Sequence, residues 1–563
     1  MLQSLRALAI LVAILLALMT YVLSQSQELS VAVALSPPSA APGTVAPTQP
    51  AVSAPATAPR SAPGSGDDAP LPQGVHVAGI EVGGMRPSAA QARLAAARVP
   101  LLHPLDLRVA TARAMLRPED IGMHIPLDAL IAEAQSAPAG ARIALRVSYD
   151  AARLRSVLKD LARRTDQQPT VVVISDTVPF SRSFAIVPGQ RLDVAMAMRQ
   201  VDARLQLLTA PPQLTLLRQP DMRLPHPLPG QLQAQITALA GEWDGVVGIS
   251  VSDLASGQVI AQLNEHTVFS GASVMKVAIL LYAYLTHARF TPEQEHWLDA
   301  MITESDNLAA NDLLAASAGG TTPRDAVRGA RAMSMLLRDL GLAHTYQYRP
   351  YQSDDYPIDL AELGTMLGPK REGTPPYTDA DRVLRSMPAE MSRVFLWIEQ
   401  CSYGGGILLK RFAESLTAAR CQEMLHRLEQ NSDHSRMLAG FPAGTRVAHK
   451  SGWIADTQAD VGIVRSPGGD FLLAVYVYRP SAADVTEDFD AVARRAIAGF
   501  ARLVYTYYNP TLIDPTMHLE QYHAECPHAS SLPWSEVDRV GAPGGDSRPY
   551  AGRDRIWPPP ACA

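Results

Sequence analysis

Cysteine is scarce in this sequence: the 563 residues include only 4, at Cys401, Cys421, Cys526 and Cys562. No two of them have the close spacing of metal ligands, so the cysteines predict no metal centre. In an exported chain, Cys401 could pair with Cys421 or Cys526 with Cys562, and the sequence leaves the pairing open. A strong charge excess is also lacking, because the net charge of −6 offers nothing that would attract nucleic acid. No pattern implies a metal or an organic cofactor.

Long hydrophobic runs are rare as well, and the one that stands out covers residues 7–23, just after Arg6. It predicts a signal peptide or membrane anchor within residues 1–25, and either places the rest of the chain outside the cytoplasm. No cysteine follows this run, which excludes a lipoprotein. Residues 35–73 are dominated by Pro, Ala, Ser, Thr and Gly, a composition typical of a semi-stiff linker.

Residues 74–225 have the pattern of a smaller α+β module. We predict helices over 88–97 with Ser88 as N-cap, 127–134, 151–164 and 193–207, and strands over 171–174 and 184–187. The motifs Gly-Ile-Glu-Val-Gly-Gly-Met at 79–85 and Ile-Val-Pro-Gly at 186–189 resemble the peptidoglycan-binding domain of VanW-like proteins. The resemblance implies binding of glycan or stem peptide but assigns no individual residue. The alternative is a folded spacer without a ligand.

A serine and a lysine three residues apart, Ser273 and Lys276, stand before the apolar run 277–285. Side chains at i and i+3 share one face of a helix, so the Lys276 amine can reach the Ser273 hydroxyl. Burial lowers the pKa of a lysine, which can then accept the serine proton and make the serine a nucleophile. A second Ser-x-x-Lys match, Ser156 to Lys159, shows that the spacing alone is weak evidence.

Two further triplets follow Ser273 in order: Ser305-Asp306-Asn307 and Lys450-Ser451-Gly452. Ser-x-x-Lys, Ser-Asp-Asn and Lys-Ser/Thr-Gly in this order resemble the penicillin-recognising serine enzymes. The flanking sequence over residues 228–510 is most similar to the class A β-lactamase-like serine hydrolases. The resemblance implies an α/β (α+β) fold, with a five-stranded antiparallel sheet beside a helical subdomain. For the Pro- and Gly-rich tail, residues 511–563, the sequence indicates no function.

The resemblance also implies roles for individual residues. Ser273 is the nucleophile, Lys276 its general base, and Ser305 with Lys450 handles the leaving group. The implied substrate-binding groups are Asn307, Ser451, Gly452 and the backbone N–H of Trp453, which forms an oxyanion hole with that of Ser273. Asp306 has a structural alternative, as the cap of the helix that follows it, and we favour that alternative.

Local patterns predict the elements that would carry these motifs. The alternation at 247–251 and the run at 259–263 predict a hairpin, and 446–449, 460–464 and 471–478 predict the last strands. Helices are expected at 297–303, 308–316, 388–398, 419–429 and 489–507, the last packed on the sheet.

This sequence departs from the well-known β-lactamases in two ways. Only 32 residues separate Ser273 from Ser305 (305 − 273), about half the family spacing, which predicts a more open cleft. The segment 341–376 holds the place of the omega loop but lacks the family's Glu-x-x-Leu-Asn. Its carboxylates are therefore more consistent with solvated loop residues than with a deacylation base; they are Asp354, Asp355, Glu362 and Glu372.

Three functions remain open at this stage. The chain can be a β-lactamase-like hydrolase acting on β-lactams, or a DD-peptidase or transpeptidase acting on peptidoglycan stem peptides. It can also be a wall-bound sensor or scaffold that acylates but turns over poorly. Fast deacylation separates the first from the other two, because a resistance enzyme must release its acyl group quickly.

Overall fold

A computed structural model describes residues 69–175, 177–207, 212–351, 366–480 and 488–513. The apolar run at 7–23, most of the linker, the C-terminal tail after 513, Asp354, Asp355 and Glu362 lie outside these ranges. Within them, no helix is both long and apolar enough to cross a bilayer. The described residues also contain no cluster of His, Cys, Asp and Glu suited to a metal ion.

The first part of the described chain alternates short strands with four helices. Helices α1–α4 span Pro87–Ala97, Leu127–Ser136, Ala151–Thr165 and Val194–Leu205. Strands β1–β10 span His76–Val77, Ile80–Glu81, Leu105–Val109, Ala112–Leu116, Arg142–Ile143, Thr170–Ser175, Arg182–Val187, Gly189–Leu192, Gln213–Thr215 and Arg218–Asp221. All four predicted helices are confirmed, but Ser88 is not a cap. The helix α1 begins at Pro87, whose fixed φ suits the first helical position, and Arg86 is the N-cap.

The second part contains the large sheet and nine helices. Helices α5–α13 span Pro229–Ala240, Lys276–Thr286, Pro292–Thr303, Asn307–Ser317, Pro323–Asp339, Pro388–Ser402, Gly406–Phe412, Ala418–Leu428 and Phe489–Tyr508. Strands β11–β19 span Val246–Asp253, Gln258–Leu263, Phe269–Ser270, Tyr346–Gln347, Leu384–Ser386, Arg446–Trp453, Thr457–Arg465, Phe471–Tyr478 and Thr511–Leu512. The 17-residue helix α9 was not predicted, although Thr322 and Asp325 form a capping box at its start.

The predicted five-stranded antiparallel sheet is confirmed, in the order β12-β11-β18-β17-β16. Because successive side chains point to opposite faces of a strand, each central strand contributes to two cores. One face packs with α5 and α13, through residues such as Ile236 and Phe500. The other packs with the helices α6–α10 and α12, through residues such as Leu280 and Phe395. Strand β16 is one of the two edge strands, and it borders the helical subdomain.

The strand β16 is longer than predicted, so it includes the third motif, Lys450-Ser451-Gly452. It was expected to end at His449, but its pairing with β17 continues through Trp453 and Gln458. Lys450, Ser451 and Gly452 therefore lie inside a paired strand instead of after it. The pairing extends this far because β17 begins at Thr457 and so provides a partner for every residue of β16.

The first part of the described chain has two apolar clusters of its own and shares a third with the second part. Strand β7 pairs in parallel with β19, which follows the helix α13. Phe180 and Phe184 pack in the same apolar cluster as Phe500. A Cβ on Gly499 would lie 2.3 Å from the Phe180 carbonyl oxygen, so the chain approaches this helix too closely for a side chain. Residues 74–225 thus contact the larger part through packed side chains and a shared sheet.

One disulfide is present among the described residues. Of the two pairings that the sequence left open, Cys401 with Cys421 is confirmed. It joins the end of α10 to α12 in the helical subdomain, while Cys526 and Cys562 lie outside the described residues.

Candidate active site

Ser273 lies in a single 3-10 turn, Ala272–Met275, immediately before the buried helix α6. The preceding residue, Ala272, has a φ of +43°, a conformation that is costly for a residue with a side chain. The turn is held from outside by strand pairing of Phe269 with Ser386 and by a hydrogen bond from Gly271 N to Leu384 O of 2.9 Å. The surrounding structure therefore imposes the backbone geometry at the half-buried serine.

The Lys276 amine lies at the centre of the site. Its Nζ is 2.9 Å from Ser273 Oγ, 2.6 Å from Ser305 O, 3.1 Å from Ser305 Oγ and 2.7 Å from Asn307 Oδ1. Three of the predicted site residues thus converge on the fourth. Because i and i+3 eclipse in a 3-10 turn, the lysine reaches back over the serine as the spacing predicted.

Burial is the main cause that lowers the pKa of Lys276 to about 6; the positive charge of Lys450 contributes to the lowering, and Asp306 opposes it. A lysine with this pKa is mostly neutral at pH 7. A neutral amine at hydrogen-bond distance from a hydroxyl can accept its proton, which is the role that a general base requires.

Ser305 is presented by a strained connection between α7 and α8. Its φ is +61°, in the left-handed region. The next residue, Asp306, is the N-cap of α8, and its carboxylate accepts a hydrogen bond from Ala309 N at 2.7 Å. The capping interpretation of Asp306 is confirmed. It fixes the start of α8 and thereby the positions of Ser305 and Asn307 beside Lys276.

Lys450 is fully buried on the face of β16 that borders the helical subdomain. Its Nζ donates to Ser451 O at 3.0 Å. Burial lowers the pKa of Lys450 to about 8, partly offset by Asp460 and Asp433. The buried Ser451 hydroxyl lies near Asp433 and lowers the pKa of that carboxyl, although it is too far away for a standard hydrogen bond. A mostly protonated lysine can attract a carboxylate.

Gly452 is where the edge strand meets the nucleophile turn. A Cβ at this position would lie 2.7 Å from Ser273 N and 2.8 Å from Val274 N. The backbone N–H of Ser273 and the strand that ends at Trp453 are therefore close neighbours. This is the arrangement from which two backbone donors can face one oxyanion.

Substituting alanine for Gly452 is expected to lower the rate of acylation by about 10²-fold, because the strand must shift away from backbone atoms that cannot yield. Stopped-flow acylation by a chromogenic β-lactam measures the effect. The control is Gly230→Ala in α5, where an added Cβ has no neighbour within 4 Å. Equal acylation rates in the two variants would contradict the close approach at Gly452.

The two lysines also predict the pH dependence of acylation. Lys276 is an active base only when neutral, so the rate should rise through a limb near pH 6. Lys450 attracts a carboxylate only when charged, so the rate should fall through a limb near pH 8. Because the two lysines interact, the midpoints of the limbs are apparent pKa values of the pair. The profile is measured at constant ionic strength. A rate that climbs steadily to pH 10 would show that Lys276 has its ordinary pKa.

Sequence reasoning missed Arg436, a buried residue that contacts both β16 and β17. It donates to Asp433 Oδ2 at 2.6 Å and to Gln458 Oε1 at 2.9 Å, and it lies over the Trp453 ring, 4.6 Å from its centroid. The Trp453 side chain itself is half exposed. The positive charge of Arg436 also lowers the pKa of Lys450, although burial is the larger cause.

Glu372 was predicted to be a solvated loop carboxylate, and that prediction is wrong. Its side chain is 12% exposed and accepts from Arg385 at 2.8 Å, Tyr346 at 2.7 Å and His344 at 3.0 Å. Burial alone would raise the pKa of Glu372, but these three partners hold it below its ordinary value. Since every partner stabilises the ionised carboxylate in a structural role, Glu372 is a poor candidate for a deacylation base.

The second Ser-x-x-Lys match, called the decoy motif from here on, lies on the surface. Ser156 and Lys159 are both exposed on α3, in the first part of the chain. Neither side chain has the buried surroundings of Lys276.

Comparison with known proteins found one matching family model and several similar solved structures. Residues 231–289 and 286–508 match the model of the Beta-lactamase enzyme family. Similar solved structures include PBP-A, with 20% identity, a TM-score of 0.36 and coverage of 51% of this chain and 98% of that one. An ancestral class A β-lactamase has 24% identity, a TM-score of 0.34 and coverage of 49% and 98%. A β-lactamase from Desulfarculus baarsii has 19% identity, a TM-score of 0.35 and coverage of 50% and 97%.

No curated protein matches the chain. The family match and the five-stranded antiparallel sheet with its flanking helices lead to the same conclusion: residues 231–508 form a β-lactamase-like domain.

Proposed function

We propose that this domain is a β-lactamase-like serine hydrolase that forms an acyl-enzyme on Ser273 with a β-lactam or a related amide. The observation that carries the proposal is the Lys276 amine, buried and within hydrogen-bond distance of Ser273 Oγ, Ser305 Oγ and Asn307 Oδ1. A surface lysine near a surface serine would have neither this burial nor these partners.

Acylation begins when Ser273 Oγ attacks the amide carbonyl and its proton passes to Lys276 Nζ. The carbonyl oxygen becomes an oxyanion, which the backbone N–H groups of Ser273 and Trp453 stabilise. Two such donors contribute several kcal/mol to the lowering of the barrier. The Oδ1 of Asn307 accepts from Lys276, which leaves its amide N–H groups to donate to the substrate.

The leaving nitrogen must gain a proton as the C–N bond breaks. Ser305 Oγ lies 3.1 Å from Lys276 Nζ, so Ser305 can pass its own proton to the nitrogen and receive the one that Lys276 holds. The proton that left Ser273 is thereby accounted for. Lys450 with Ser451 would hold the substrate carboxylate on the other side of Ser305.

A DD-peptidase or transpeptidase acting on peptidoglycan stem peptides is the second candidate. The observation that favours it is Glu372, which is engaged by Arg385, Tyr346 and His344 and so is not free to activate a deacylating water. One preparation should be assayed for penicillin hydrolysis and for release of D-alanine from a D-Ala-D-Ala peptide. Faster hydrolysis of penicillin supports the first candidate, and faster release of D-alanine supports the second.

We also propose that the protein acts outside the cytoplasm, attached through residues 7–23 or released into the cell wall. The Cys401–Cys421 disulfide supports this, because disulfides persist in oxidising compartments. Residues 74–225 would hold the enzyme on peptidoglycan.

The full chain is expected to pellet with purified peptidoglycan sacculi even after penicillin has occupied Ser273, because the binding is assigned to residues 74–225. The full chain is required since β7 pairs with β19 of the larger part, so an isolated fragment would lose that contact. Sedimentation no greater than that of an unrelated protein of similar net charge would favour a plain spacer.

A further inference from the structure

Tyr351 is a buried aromatic residue that packs against the catalytic lysine and that the motif analysis did not identify. It is 8% exposed, and it is the last described residue before position 366. The Lys276 Nζ lies over its ring, 4.6 Å from the centroid. Its hydroxyl donates to Ala272 O at 2.9 Å. The ring therefore extends from the lysine to the residue before the nucleophile and lies alongside the Ser273 turn.

The backbone of Tyr351 is held on both sides by one side chain. Asn311 Oδ1 accepts from Tyr351 N at 2.7 Å, and Asn311 Nδ2 donates to Tyr351 O at 2.8 Å. Asn311 is itself fully buried in α8, the helix that begins at Asn307. The same helix that presents Asn307 to Lys276 thus fixes Tyr351 against Lys276 from the other side.

The remaining groups around Lys276 are polar but neutral, or are charges at longer range. The hydrogen-bond partners are Ser273, Ser305 and Asn307, and the charges that act on its pKa are Lys450 and Asp306. Among these described neighbours, Tyr351 is the large apolar surface. A side chain in its position keeps water from the amine, and loss of water disfavours a charged amine.

We propose that Tyr351 is a positioning residue whose ring excludes water from Lys276 and so keeps this amine neutral enough to act as the base for Ser273. The inference rests on the proposed acyl-transfer role of Lys276. The ring face also attracts a cation, which favours the charged amine, but desolvation is the larger of the two effects.

Tyr351 does not itself act as a base. Burial raises the pKa of its phenol, so the hydroxyl stays protonated, and it donates to a carbonyl oxygen. Its hydroxyl anchors the ring, whereas the ring itself covers the amine. Removing the hydroxyl alone and removing the whole ring should therefore have different effects.

The test is the pH dependence of acylation in Tyr351→Phe and Tyr351→Ala. The phenylalanine variant keeps the ring and should retain the wild-type acidic limb. The alanine variant admits water, and its acidic limb should move to higher pH by at least about one pH unit. Tyr348→Ala is the matched control: Tyr348 is a buried tyrosine three residues away that stacks on Tyr346, and its loss should leave the limb in place. If Tyr351→Ala does not fold, Tyr351→Leu should give a smaller shift in the same direction.

Two probes separate failure of this inference from failure of the proposed function. Penicillin reports acylation, and an alkyl fluorophosphonate reports serine activation whatever the substrate, since Ser273 Oγ displaces fluoride from phosphorus and its proton passes to Lys276. A limb that shifts with the fluorophosphonate while penicillin does not react supports the inference and contradicts the proposed function. An unshifted limb in folded Tyr351→Ala and Tyr351→Leu overturns the inference, as does a wild-type chain in which neither probe labels Ser273.

Discussion

Replacing Ser273 by alanine is expected to abolish the covalent adduct that a labelled penicillin forms with this protein. The Ser273 hydroxyl is the atom that bonds to the acyl carbon, and its Oγ lies 2.9 Å from the buried Lys276 amine. Intact-mass analysis before and after incubation should show the penicillin mass on the wild-type chain and not on the variant. Turnover should fall by about 10⁶-fold, because the other catalytic groups assist the reaction only through the nucleophile.

The control for the alanine variant is Ser156→Ala, which removes the serine of the decoy motif. Its adduct should form at the wild-type rate, because Ser156 is exposed on α3 and lacks an activating base. An adduct that survives Ser273→Ala, or that peptide mapping finds on Ser156, would contradict the assignment of the nucleophile.

The lifetime of the penicillin adduct is expected to exceed the time needed to form it by at least about a hundredfold. Hydrolysis of the ester requires an activated water, and losing a general base costs about 10² to 10⁴ in rate. In the described part of the loop the carboxylate Glu372 is engaged by three partners, and beside Lys276 stands the protonated phenol of Tyr351. Pre-steady-state kinetics should therefore show a burst of acylation followed by slow turnover.

Glu372→Gln provides the control for this second prediction. It should leave the lifetime of the adduct unchanged, while it lowers the free energy of unfolding by about 1.5–3 kcal/mol through weaker bonds to Arg385 and its neighbours. Fast turnover without an accumulating adduct would refute the prediction. A glutamine variant at Glu362 or Glu372 that then traps the adduct would identify the base.

Much of the sheet was predictable because its signals are local. The strand β18 was predicted with its observed bounds, Phe471–Tyr478, since a run of β-branched and aromatic residues specifies a buried strand without reference to distant contacts. The caps of α4 and α8 were also predictable, because Asp193 and Asp306 bond to N–H groups three residues away. The end of β16 was not, since only its pairing with β17 decides where the ladder stops.

The sequence by itself determined the candidate site: the order and spacing of the three motifs indicated Ser273, Lys276, Ser305, Asn307 and Lys450 before any contact was known. Only the tertiary structure decided the surroundings of that site. It tied Glu372 to Arg385, it chose Cys421 as the partner of Cys401, and it placed Tyr351 against a turn 79 residues earlier in the chain. The physical reason is the distance along the chain over which each kind of interaction acts. A motif acts through neighbours three or four residues apart, whereas burial, ion pairing and desolvation depend on which distant segments the fold brings into contact.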